Sequence, residues 1–201
     1  MPESLRSQWG PRDWSYGRLR PLTRNLDGQT VVILGYGAIA RRLVELLAPF
    51  RLDIVGLRRQ VQGNESVPVF GLDQANGLLH RADFVVNILP ANDSTVQFCD
   101  AEWFAKLKPG AVFLNVGRGN TVDQPALINA LETGQVSAAY LDVTDPEPLP
   151  ADHPLWQAPN CYITPHIAGG HQEEDLQMVR HFLRNLAKFV SGQPLAGRIL
   201  A

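Results

Sequence analysis

The chain has 201 residues, 45% of them apolar and 19% charged, enough to bury the core of one large domain and too few charges for a disordered chain. Eighteen basic against twenty acidic side chains leave a formal charge of -2, which excludes the broad positive field of a nucleic-acid binder. No apolar run approaches membrane-spanning length and "MPESLRSQWG" lacks the apolar stretch of a signal peptide, so a cytoplasmic protein is expected, with no membrane partner.

Residues 1–27 are polar and broken by Gly10, Pro11, Gly17 and Pro21, with Trp9 and Trp14 among them. Such a composition suits an arm lying on another surface rather than a core element. From Gln29 onward, β-rich runs alternate with helical patterns. Strands are predicted at Thr30–Leu34, Asp53–Leu57, Val67–Phe70, Asp83–Leu89, Ala111–Val116, Ala138–Val143 and Cys161–Thr164. Several are continuously apolar, as in strands covered on both faces.

Helices are predicted between them, at Ala38–Pro49, Asp73–Arg81, Ala101–Leu107, Gln124–Thr133 and about Glu173–Val190. In the last, Leu176, Val179, Leu183, Leu186 and Val190 recur at spacings of three and four and make one apolar face. The alternation argues for an α/β fold, a Rossmann-type doubly wound parallel sheet flanked by helices, over residues 28–190, with 191–201 as a tail. The connection Thr144–Asn160 is long, proline-rich and contains acidic residues and a histidine, which favours a functional loop. Cys99 and Cys161 stand far apart among apolar neighbours, in no metal-like spacing, and are read as two reduced thiols; no metal site is predicted.

Directly after the first strand, Gly35-Tyr36-Gly37-Ala38-Ile39-Ala40 has the form G-x-G-x-x-A and opens a helix. Gly35 suits a tight turn, Gly37 lets the backbone approach a pyrophosphate, and Ala40 keeps helix and strand close. The helix N-terminus adds free N–H groups and positive dipole, so the stretch reads as the phosphate cradle of a dinucleotide. Glycine pairs after strands also occur as plain turns, but the strand before and helix after favour the cradle. An acidic residue normally follows at the tip of the second strand, to hold the ribose hydroxyl. Here Arg58 and Arg59 stand there. Guanidinium groups pair with a 2′-phosphate where a carboxylate would repel it, so NADP is favoured over NAD; the plain alternative is two solvated arginines on a strand end.

Three further stretches put chemistry beyond strand ends. "NVGRGN" places Arg118 in a glycine-flanked loop, "LDVTDPEP" places Asp142 and Glu147 after the next strand, and "TPHIAGG" places His166 after the last. Open α/β sheets bind ligands at this carboxyl edge. Singly, each residue has a structural or solvated reading; their shared placement points to one crevice. Asn87, polar within an apolar strand, is a candidate to face it.

These motifs resemble the D-isomer-specific 2-hydroxyacid dehydrogenase family from about Leu26 onward, and within it the glyoxylate/hydroxypyruvate reductase branch. The resemblance implies that His166 is the general acid/base, that Glu147 hydrogen-bonds its imidazole and fixes the tautomer, and that Arg118 polarises the carbonyl and pairs with the substrate carboxylate. Asp142 would hold the nicotinamide side of the cofactor. Leu89, Pro90, Val116, Gly117 and Gly169 would line the cofactor cleft. The third cradle residue is Ala40 rather than the family's usual glycine, and Asn92 and Asp93 replace a frequent Thr-Pro pair.

The resemblance also implies a small 2-oxo or 2-hydroxy acid substrate and a homodimer formed through the cofactor domain. Family members carry a second, substrate domain, mostly from preceding residues on the order of a hundred in number. The chain is therefore expected to be a cofactor domain lacking that partner, and poorly active alone. A non-catalytic dinucleotide-sensing or scaffold module on the same fold is the alternative; retention of Arg118, Glu147 and His166 favours the enzyme. A general NADP-dependent reductase of another kind predicts Tyr-x-x-x-Lys, which does not occur.

Overall fold

The computed structural model describes residue 20 and residues 23–197; Trp9 and Trp14 of the predicted arm and the end of the tail lie outside the described residues. The chain divides into two compact units, one running through Pro165 and a second from His166 onward.

The first unit is built on seven parallel strands: β1 (Thr30–Leu34), β2 (Asp53–Arg58), β3 (Val69–Gly71), β4 (Phe84–Asn87), β5 (Ala111–Asn115), β6 (Val136–Leu141) and β7 (Cys161–Ile163). Their order across the sheet is β3-β2-β1-β4-β5-β6-β7, with every pairing parallel. All seven predicted strands exist. The chain first winds outward from β1 to β3, then returns to the other side of β1 to place β4. The order thus reverses between β1 and β4, which is where a doubly wound sheet opens a crevice at its carboxyl edge.

β1 is buried along its whole length because helices cover both faces. Val31 and Ile33 point to one side, with Ala40 and Val44 of helix α1 (Ala38–Leu47) and with Ile54 and Val86. Val32 and Leu34 point to the other, with Leu79 of α2 (Asn76–Leu79), Phe104 of α3 (Ala101–Ala105) and Leu127 of α4 (Gln124–Glu132). Each such aliphatic side chain, fully buried, contributes about 1.5–3 kcal/mol relative to exposure. Trp103, Phe104 and Phe113 meet edge to face beneath β5, with ring centroids 5.3–6.1 Å apart.

Several boundaries differ from those predicted, for local reasons. α1 stops at Leu47 because Pro49 cannot continue the ladder, and a 3-10 turn over Ala48–Phe50 finishes it. The predicted helix over Asp73–Arg81 splits into a 3-10 turn, Leu72–Gln74, and the single-turn α2, which contains the weak helix former Gly77. The long connection Thr144–Asn160 is ordered by its own contacts. Leu155 is fully buried, the Trp156 indole N–H donates to the Pro150 carbonyl at 2.8 Å, and His153 Nδ1 accepts the Leu155 N–H at 3.2 Å. His153 therefore has a structural role, capping the turn Pro154–Trp156.

Both cysteines carry free thiols. Burial pushes the Cys161 thiol up to about 11 and the Cys99 thiol well above its ordinary value. No group of metal-ligating side chains and no helix long and apolar enough to cross a membrane occurs among the described residues.

The second unit contains α5 (Glu174–Val190), with Glu174 and Asp175 in its first turn and Lys188 in its last, matching the helix dipole. The predicted apolar face is present on it, and Leu176, Val179, Leu183, Leu186 and Val190 are exposed.

Candidate functional site

At the end of β1 the Gly35 and Tyr36 N–H groups both donate to the Leu57 carbonyl, at 2.9 and 3.1 Å, tying the cradle to β2. Gly35 has φ +92, and a Cβ there would lie 2.8 Å from the Ile88 carbonyl oxygen. Only glycine fits that turn. Gly37, the N-cap of α1, is different: a Cβ there would meet nothing within 4 Å, and no side chain caps the helix. No side chain therefore caps the α1 N-terminus or fills the space above Gly37, as the close backbone approach of a pyrophosphate would require. Ala40 is fully buried against the sheet, and Ile39 is exposed. Tyr36 turns its ring into the core, with its hydroxyl 3.2 Å from Ser66 Oγ, so it brings backbone rather than side chain to the cradle.

Arg58 ends β2 beside this cradle, and Arg59 is exposed next to it. Arg58 Nη1 lies 3.4 Å from Glu65 Oε1, a long ion pair. Glu65 takes its stronger contact from the Gln62 N–H at 2.8 Å, and that hydrogen bond above all holds its carboxyl below the usual value, against the effect of burial. A carboxylate thus stands near the strand tip, supplied by the following loop rather than by β2.

Beyond β4 and β5, two loops lie against each other. A Cβ on Gly117 would sit 2.7 Å from the Leu89 carbonyl oxygen. Leu89 is buried and Pro90 exposed; Val116 is half-buried. Asn87, a candidate for the cleft, is fully buried instead, and its amide serves the two loops. Its Oδ1 accepts the Leu89 N–H at 3.1 Å, and its Nδ2 donates to Thr121 Oγ1 at 2.7 Å. The Arg118 carbonyl in turn accepts from Asn115 Nδ2 at 3.1 Å and from Thr121 Oγ1 at 2.7 Å. The loop backbone is gripped from below while the Arg118 side chain is exposed, its Nη1 donating to the Gly117 carbonyl at 2.6 Å.

Asp142 follows β6 and is nearly buried, with Oδ1 accepting from Thr164 Oγ1 at 2.6 Å and its N–H donating to the Asn115 carbonyl at 2.9 Å. Glu147 is exposed, and its Oε1 accepts the Thr144 N–H at 2.9 Å. This acidic loop packs directly on the arginine loop: a Cβ on Gly119 would fall 1.9 Å from the Thr144 carbonyl oxygen. The first unit therefore brings together the glycine cradle, the Leu89-Pro90 turn, Arg118, Asp142 and Glu147 at one edge of the sheet. His166 and Gly169 belong to the second unit. His166 is exposed with φ +54, a left-handed conformation that side chains other than glycine adopt infrequently and that clusters at functional positions.

Sequence reasoning did not single out Glu65, Asn115, Thr121 or Gln124. Asn115 opens the arginine-loop motif and the other three lie outside any motif; what marks each is a hydrogen bond or ion pair that the sequence does not display.

The family described as "D-isomer specific 2-hydroxyacid dehydrogenase, NAD binding domain" matches residues 3–168. Glyoxylate/hydroxypyruvate reductase B of Escherichia fergusonii is 45% identical over 167 residues, 82% of this chain and 51% of that protein. A D-isomer specific 2-hydroxyacid dehydrogenase from Xanthobacter autotrophicus, solved with NADPH and MES, superposes with a TM-score of 0.79 at 31% identity, covering 92% of this chain and 79% of that one. The NADPH-dependent glyoxylate/hydroxypyruvate reductase of Sinorhizobium meliloti, solved with NADP and sulfate, gives 0.78 at 29% identity, covering 92% and 62%. The chain spans about half the length of the curated relatives it matches. With an all-parallel sheet, a glycine cradle at its switch point and the matched residues, the chain belongs to the D-isomer specific 2-hydroxyacid dehydrogenase family and is an NAD(P)-binding domain of it.

Proposed function

We propose that this chain is the cofactor domain of an NADP-preferring reductase of small 2-oxo acids such as glyoxylate or hydroxypyruvate. The observation that carries the reading is the uncapped α1 N-terminus, open above Gly37, standing at the same sheet edge as Arg118 and Glu147. Gly35, Gly37, Ala38 and Ile39 would hold the pyrophosphate by backbone, and Asp142 the nicotinamide side. Arg58 and Arg59 would face the 2′-phosphate, Arg58 exchanging its long contact with Glu65 for a shorter phosphate pair. The two relatives solved with NADPH or NADP support that preference.

When bound, the reduced nicotinamide supplies the hydride. Arg118, on a backbone fixed by Asn115 and Thr121, pairs with the substrate carboxylate and polarises its 2-oxo group. His166 is assigned delivery of the proton to the 2-oxo oxygen, and Glu147 is the carboxylate assigned to the same reaction. Two unpaired thiols support a reducing, cytoplasmic setting. A homodimer is part of the same reading, and sedimentation tests it.

Fluorescence titration with NADPH and NADH tests the cofactor assignment. NADPH should bind more tightly, and Arg58→Asp should weaken it about ten- to a hundredfold, the worth of one charged hydrogen bond. Tighter NADH binding by the unmodified chain would overturn the assignment. Reduction of glyoxylate or hydroxypyruvate, lost in His166→Gln, tests the reaction.

A further inference from the structure

Gln124 takes no part in the proposed chemistry, yet it is placed unusually. It is the first residue of α4, where a polar side chain normally meets water, and it is 8% exposed. Asp123 already caps this helix, its side chain accepting the Ala126 N–H at 3.0 Å, so Gln124 is not needed there. Its amide turns instead to the acidic loop. Oε1 accepts the Asp145 N–H at 3.1 Å, and Nε2 donates to the Asp145 carbonyl. One side-chain amide thus engages both backbone groups of a single residue, as a neighbouring strand would. One residue back along the same backbone, the Thr144 N–H donates to Glu147, and Gly119 presses against the Thr144 carbonyl.

We propose that Gln124 is a positioning residue that clamps the Glu147 loop to the arginine loop, with Gly119 as the seat on which the clamp closes. Four links join the two loops. Arg118 adjoins Gly119 in the chain, Gly119 touches Thr144, Gln124 locks Asp145, and Thr144 holds the Glu147 carboxylate. The amide of Gln124 fixes the loop in two directions, so Glu147 keeps one position relative to Arg118. This deepens, and rests on, the assignment of Arg118 and Glu147 to one reaction.

The test compares Gln124→Met, nearly isosteric without hydrogen bonding, with Gln124→Glu, which keeps the acceptor for the Asp145 N–H and loses the donor. Asp145 is an exposed residue, and thermal melts establish that each variant folds before exchange is read. Amide hydrogen exchange is the first readout. In Gln124→Met, exchange at Asp145 and Thr144 should quicken at least about tenfold, the loss of roughly one neutral hydrogen bond, while the amides of α4 stay protected. Unchanged exchange at the two positions overturns the proposal, and so does equal quickening throughout α4. Single-turnover reduction of glyoxylate with NADPH is the second readout. The rate should fall by up to about a hundredfold with NADPH affinity unchanged, and Gln124→Glu should fall between. An unchanged rate overturns the catalytic consequence of the clamp. Turnover by the unmodified chain is expected to be poor, and where it is too slow to read, exchange alone decides the clamp.

Discussion

Asn87 and Asn115 occupy paired positions at the ends of β4 and β5, and the Asn87 amide donates to Asn115 Oδ1 at 3.1 Å. Each also accepts, at 3.1 Å, the N–H of the residue two positions on, Leu89 and Gly117. The two strands thus end in matching side-chain turns, joined to each other and closed over by Thr121. A buried polar pair is tolerated here because its members satisfy one another and the backbone around them.

Asn87→Ala should therefore destabilise the chain, by about 1–3 kcal/mol for each buried group left unpaired. Urea unfolding measures it. A loss under about 0.5 kcal/mol, the ordinary range for surface substitutions, would show that the network contributes little.

Glycines at two places should behave in opposite ways. Gly119→Ala drives a Cβ to 1.9 Å from the Thr144 carbonyl, so the backbone of one loop must move, at a cost of about 1–3 kcal/mol or more. Gly37→Ala meets nothing within 4 Å and should change stability by no more than about 1 kcal/mol, the difference between N-cap residues. Its methyl group instead enters the space above α1, so NADPH binding should weaken. Thermal melts and titrations of the two variants separate a packing glycine from a ligand glycine.

Asp83 joins β4 to β1 and to the segment before β5, accepting the Thr30 N–H at 3.0 Å and Lys108 Nζ at 2.6 Å. Burial acts to raise its pKa, but the Lys108 hydrogen bond, the Thr30 N–H and the Lys108 charge outweigh it, and the carboxyl titrates below its ordinary value. A folded value below the unfolded one means stabilisation that is complete above about pH 4 and is lost as pH falls through the folded value. Asp83→Asn should thus cost about 1 kcal/mol at pH 7, and the difference from the unmodified chain should shrink below pH 3. A pH-independent difference would contradict this.

The Cys161 thiol, raised by burial to about 11, should be almost wholly protonated at pH 7, about one thiolate in ten thousand. Iodoacetamide should modify it at least tenfold more slowly than free cysteine, whose thiol titrates near about 8.5. Labelling followed by mass spectrometry reads the rate.

The strands were legible because their apolar runs are continuous and their spacing is local. β4 was read too long, through Leu89, because apolar pattern alone cannot show where Asn87 withdraws the chain into a turn. The proposed cradle and the stretches around Arg118, Glu147 and His166 stand out for the same reason, since each is a compact string of residues. Glu65 is not marked by the sequence because it lies seven positions beyond Arg58 in a loop with no period.

By itself the sequence determined the parallel α/β alternation and the family, because strand runs and compact motifs depend on neighbours along the chain. Only the tertiary structure decided what holds them. The partners of Asn87 lie 28 and 34 positions away, and Gln124 reaches 21 positions to Asp145. Such pairings exist only once parallel strands bring their carboxyl ends to one edge. There the burial of each amide selects, from many polar residues alike in the sequence, the few that fix the loops.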